Sequence, residues 1–90
     1  MKSIRDILRP AALAELNRDG RRHRLARIWR EYHGLTNEEA AAICGVEPYS
    51  FSRFGTHRQR PEAGRLVAKG IGLDSSTRPW KAAVAGTILA

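Results

Sequence analysis

Apolar residues along the chain recur at three- and four-residue intervals, with no period-two alternation of any length. That pattern predicts helices and no substantial sheet. Ile4, Ile7 and Leu8 are spaced for a short helix, and Pro10 either opens a second one or kinks the first. Ala11 to Leu16 are strong helix formers, and the stretch from Asn17 to Gly20 is polar and ends on a glycine stop. Arg21 to His33 is the clearest amphipathic helix. Leu25, Ile28, Trp29 and Tyr32 fall at i, i+3, i+4 and i+7 and so share one face, while Arg24, Arg27, Arg30 and Glu31 lie off it.

After Gly34 the elements shorten. Thr36 and Glu39 have the S/T-x-x-E spacing of a capping box, in which each side chain satisfies a backbone N–H of the other. Ala40 to Ile43 continue that helix and Gly45 stops it. A third helix is expected near Glu47, with Pro48 at its first position, and Phe51 and Phe54 on its inner face. Thr56 to Pro61 reads as a basic loop, and Glu62 to Lys69 as a helix burying Leu66 and Val67. Pro79 opens a last helix in which Trp80, Val84 and Ile88 recur every four residues. The expected fold is therefore all-α, a compact four- to five-helix domain. Residues 1–20 form an N-terminal helical extension, 21–73 the central domain, and 74–90 a C-terminal helix for packing or dimerisation.

Composition narrows the class. Ninety residues suit one small domain with little room for both a core and an enclosed active site. The chain carries 16 Lys and Arg against 9 Asp and Glu, for a net charge of +7. Charge is distributed in blocks: residues 21–33 hold five Arg and one Glu, residues 55–70 four bases and one Glu, and the segment between them is weakly acidic. Arginine in such blocks suits phosphate, because its planar fork bonds two oxygens at once. The alternative is a solvated surface that keeps a small protein soluble. One cysteine excludes an internal disulfide framework and fits a reducing cytoplasm. No stretch has the roughly 20 apolar residues of a membrane span, and no signal peptide is expected.

The informative stretch is Asn37 to Thr56. Two short helices joined by a tight glycine turn are the helix-turn-helix motif, whose packing can be checked by position. A small residue is needed where the helices cross, and Ala41 is there. A residue tolerating positive φ is needed in the turn, and Gly45 follows four positions later. Ala40, Cys44, Val46, Phe51 and Phe54 supply the apolar anchors. An ordinary αα-hairpin inside a helical bundle is the competing reading.

The run from Leu25 through Trp29, Gly34, Thr36 and Ala41 to Val46 resembles the first two helices of the phage-repressor (lambda-repressor and Cro-like) helix-turn-helix family. Glu47 to Arg53 resembles its recognition helix, Arg58-Gln59-Arg60-Pro61 the basic loop that follows, and Leu66 to Leu73 the next helix. Phe54 stands before the loop glycine where the family usually carries an acidic residue. The resemblance covers roughly residues 24–73. It implies a sequence-specific double-stranded DNA-binding regulator, most simply a repressor of the kind phages and mobile elements encode, acting as a homodimer in a bacterial or phage-infected cytoplasm at the nucleoid.

In such a domain the second helix of the motif lies in the major groove, here at about residues 47–54, while the first crosses the backbone. Pro48, Tyr49, Ser52 and Arg53 would then face base edges. Arg53 is the best base reader, since a guanidinium bonds guanine O6 and N7 together. It could instead touch a phosphate or pair with Glu47 or Glu39. Tyr49 would stack on a sugar, touch a thymine methyl, or serve as packing. Asn37, Thr56, His57, Arg58, Arg60, Arg21, Arg22 and Arg24 are candidate backbone contacts. Glu38 and Glu39 would repel DNA unless turned to solvent or used in the cap. His23, His33 and His57 lack metal-ligand spacing, no nucleophile motif or phosphate loop is present, and neither metal, cofactor nor catalysis is expected. The reading from a different class is a small protein–protein module, antitoxin- or inhibitor-like, on the same fold.

Overall fold

A computed structural model describes residues 1–18 and 20–73. The helix expected from Pro79, with its stripe of Trp80, Val84 and Ile88, lies outside the described residues. Within them are six helices: α1 (Ile4–Ile7), α2 (Pro10–Leu16), α3 (His23–Tyr32), α4 (Asn37–Cys44), α5 (Pro48–Ser52) and α6 (Pro61–Gly70). No strand occurs among the described residues, and no helix there is long and apolar enough to cross a membrane. Six is more than the four or five expected. The chain is extended at Leu8 and Arg9, as the residue before a proline must be, so Pro10 opens α2 rather than kinking α1.

One core joins all six helices. Ile4, Leu13, Leu25, Trp29, Phe51, Phe54, Val67 and Ile71 are buried in it together with Ala26, Ala40, Ala41 and Cys44. The N-terminal stretch, read from sequence as an extension, contributes Ile4 and Leu13 to this core. It is also tied down by its backbone. The Ile4 N–H donates to the Ile71 carbonyl at 2.7 Å, and Arg5 Nε to the Leu73 carbonyl at 2.8 Å. Trp29 donates its indole N–H to the Lys2 carbonyl at 3.1 Å, so the largest buried side chain leaves no polar atom unsatisfied.

Two burial expectations are corrected. Tyr32 is 53% exposed, and Ala26 takes its place inside. The inner face of α3 is centred on Leu25, Ala26 and Trp29, while Tyr32, on the last residue of the helix, packs its ring edge-on against His33 at 5.0 Å. Leu66 is likewise 45% exposed. Neighbours on a helix point about 100° apart, so Leu66 and Val67 cannot both be central. Val67 and Ile71, four apart, take the inner row.

The stretch from Thr36 into α5 is fixed by local hydrogen bonds. The capping box forms: the Glu39 N–H donates to Thr36 Oγ1 at 3.1 Å and the Thr36 N–H to Glu39 Oε1 at 2.8 Å. At the other end Gly45 adopts φ +76°, and the Val46 N–H reaches back to the Ala41 carbonyl at 3.0 Å, a Schellman-type stop. The chain then turns directly into α5, which packs chiefly on α4, and Ala41 is buried.

Candidate nucleic-acid interface

α5 is a single short element with two unlike faces. Pro48 sits at its first position, where a missing N–H removes nothing. Phe51 and Phe54 are buried, the latter beyond the helix end, since the helix proper stops at Ser52 rather than running to about residue 54. Anchoring those two rings inward turns Pro48, Tyr49 and Ser52 outward, all three exposed, with Arg53 half-buried at the C-cap. The Ser52 hydroxyl donates to the Tyr49 carbonyl at 2.8 Å. Its hydrogen is thereby committed, and Ser52 offers the solvent only acceptor lone pairs. That suits a base amino group better than a phosphate.

The loop after α5 is held by Thr56. Its hydroxyl donates to the Arg53 carbonyl at 2.7 Å and accepts from the Arg58 N–H at 3.3 Å. Thr56 is thus a turn-former, and its hydroxyl is already engaged in both directions. The turn leaves His57, Arg58 and Arg60 exposed, with Arg58 and Arg60 on the side of Tyr49 and Arg53. Between helix and loop lies a cleft of about 260 Å³, lined by Glu47, Tyr49, Ser50, Arg53, Arg58, Gln59 and Arg60. The Arg53 guanidinium lies 4.7 Å over the Tyr49 ring. Two buried polar atoms beside the cleft have no hydrogen-bond partner among the described residues: Arg53 Nε and Gln59 Oε1.

Ion pairing separates the two basic blocks. Among the described residues the pairs are Arg21–Glu15 at 2.9 Å, Arg27–Glu31 at 3.2 Å and Arg30–Glu31 at 3.9 Å, all on α3 and its approach. None involves Arg53, Arg58 or Arg60, and the alternative pairing of Arg53 with Glu47 or Glu39 does not form. Arg22 donates Nε to Asn17 Oδ1 at 3.0 Å and lays its guanidinium 5.2 Å over the buried Phe54 ring. Arg24 is exposed and outside every ion pair among the described residues.

Compared with known proteins, the chain matches no family model, no curated relative and no solved structure.

At the start of α4, Asn37 donates Nδ2 to the Pro48 carbonyl at 3.0 Å. It braces the first residue of α4 against the first residue of α5, which leaves only part of its amide for any ligand. Glu38 is exposed, and Glu39 is folded into the cap, where the Thr36 backbone N–H and then the Thr36 side chain hold its carboxyl below the ordinary carboxylate range. Burial pushes the Cys44 thiol up to about 11, so it is a core side chain rather than a ready nucleophile. No three His, Cys, Asp or Glu side chains gather to hold a metal among the described residues. The sequence reading passed over Ser50 and Gln59, both half-buried in the cleft wall. Gln59 stands between Arg58 and Arg60 in the basic loop, and that placement was its one visible signal.

Proposed function

We propose that this chain is a sequence-specific double-stranded DNA-binding transcriptional regulator. α4, the Gly45 turn and α5 act as a helix-turn-helix, with α5 as the element that enters the major groove. The observation that carries this reading is the exposed face of α5 continuing into a loop whose arginines have no acidic partner among the described residues. Anchored inside by Phe51 and Phe54, that face brings Tyr49, Ser52 and Arg53 toward base edges, while Arg58 and Arg60 take phosphates. Asn37 braces the reading helix and Thr56 shapes the loop. Two copies of the chain on paired half-sites would complete a repressor of the phage type.

The second reading, a protein–protein module, is favoured by a different feature. A groove of about 670 Å³ runs between the Gly45 turn and α6, with Val46, Ala63 and Leu66 along it. It lies beside the outer face of α5 rather than on it, and its rim mixes Glu47 and Glu62 with Arg60 and Arg65.

Selection of bound duplexes from a random pool, followed by a salt series, decides between them. DNA reading predicts an enriched sequence. Arg53→Ala should then relax the preference while Arg58→Ala lowers affinity evenly on all duplexes. If the two variants act identically on every duplex, the base-reading role of Arg53 is lost.

A further inference from the structure

We infer that Tyr49 is a positioning residue for Arg53, and that the stacked pair is a reading unit for the Hoogsteen edge of a guanine. This rests on the DNA-binding reading above and names what that site recognises.

The inference starts from the state of the Arg53 side chain. Its guanidinium lies 4.7 Å over the Tyr49 ring, and its buried nitrogen, without a partner among the described residues, is Nε. The Nη pair forms no hydrogen bond among the described residues, and neither of its nitrogens is among the buried unpartnered atoms. An arginine can approach guanine either side-on, through Nε and one Nη, or end-on, through both Nη groups. With Nε turned into the protein, only the end-on approach is open, and it places two parallel donors against O6 and N7. The remaining question is what fixes the plane of the fork. No carboxylate does so, since none lies within pairing distance of Arg53 among the described residues. The Tyr49 ring does. It is 57% exposed and so contributes little to the core, yet it lies one helical turn before Arg53 on the same face. A ring face holds a guanidinium by cation–π attraction without consuming any of its N–H donors. Side-chain freedom is therefore removed before DNA arrives, and the loss on binding is smaller.

The experiment uses the full chain and the duplex enriched from a random pool. Each guanine of that duplex is replaced in turn by 7-deazaguanine, which lacks the N7 acceptor. One position should weaken wild-type binding by about 10-fold, the loss expected from disabling a bidentate base contact. Tyr49→Ala should shrink that discrimination to about 2-fold or less, whatever it does to affinity for the two duplexes together. Tyr49→Phe, which keeps the ring, should restore the full ratio. The ratio is a readout that general loss of folding would not move selectively. An enriched duplex indifferent to every guanine substitution, or full discrimination surviving in Tyr49→Ala, would overturn the inference and leave DNA recognition standing. A pool with no enriched sequence would overturn both.

Discussion

The two basic blocks look alike in sequence and are unlike in structure. Arg21, Arg27 and Arg30 on α3 and its approach are each paired with a carboxylate, and Arg22 is bonded to Asn17 and laid on Phe54. Arg53, Arg58 and Arg60, around the cleft, have no carboxylate partner among the described residues, although Glu47 lines the same cleft. The first block is mostly consumed by its own protein. Arg58 and Arg60 of the second block, with Arg53 just before it, keep their charge unspent, while Thr56 shapes the loop and Tyr49 holds Arg53. Counting arginines along a chain measures potential for phosphate. Which arginines keep that potential depends on whether an acid comes within pairing distance in the fold, as Glu31 does of Arg27.

The blocks meet at Gly55, and the largest expected effect is there. Gly55 has φ +80°, and a Cβ on it would lie 2.6 Å from the His23 backbone nitrogen and 2.7 Å from Arg22 Cβ. Gly45 has nearly the same dihedral, φ +76°, with nothing within 4 Å. Gly45→Ala should therefore cost about 1–2 kcal/mol, the strain of a left-handed alanine alone. Gly55→Ala adds displacement of the start of α3 and should cost about 3 kcal/mol or more, within the range of severe overpacking. Denaturant unfolding of both variants checks the contrast. Equal losses would mean that the two blocks are not pressed together at this junction.

The next effect is on binding. If the loop block is the free one, Arg58→Ala combined with Arg60→Ala should lower the slope of log affinity against log salt by about 2 and weaken binding roughly 10- to 100-fold near physiological salt. Arg21→Ala should leave the slope unchanged and shift stability by less than about 0.5 kcal/mol, since its pair with Glu15 is exposed. Arg22→Ala should lose stability without changing the slope, because its guanidinium is used on Asn17 and Phe54. A slope that falls as far for Arg21→Ala as for the loop arginines would erase the distinction drawn here.

Much of this was legible in the residues themselves. The capping box, the glycine stop at Gly45, the buried Ala41 and the inward Phe51 and Phe54 are local rules, and each is found where the spacing put it. What failed was helix rotation. Tyr32 and Leu66 fit an apolar stripe by spacing, but a stripe wider than the contact leaves the choice of centre to the neighbouring helices. The site divided along the same line. The outward set of Pro48, Tyr49 and Ser52 follows from which residues face in. The bonds of Asn37 to Pro48 and Arg22 to Asn17 join residues eleven and five apart, and no periodicity announces them. The Tyr49–Arg53 stack was within reach, being i and i+4, yet each residue invites a contact of its own with DNA and so was first read alone.

The smallest effect concerns a carboxylate whose charge is spent locally, as those of the first block are. Glu39 stands in the first turn of α4, and its carboxyl is bonded to the Thr36 N–H. That bond, and then the Thr36 side chain, lower its pKa from the ordinary 4.5. A carboxyl with a depressed folded-state pKa adds stability above its unfolded pKa, and this is lost as pH falls through the folded value. Stability linked to Glu39 should therefore be complete at pH 6 and decline below about 4.5. Glutamine can also close a capping box, and it does not titrate. Thermal unfolding of wild type and Glu39→Gln should thus differ by a constant amount from pH 7 to pH 5, and the variant should lose less on further acidification. Parallel acid curves would show that the carboxyl is not bonded in solution, and its charge would then stand free at the start of α4.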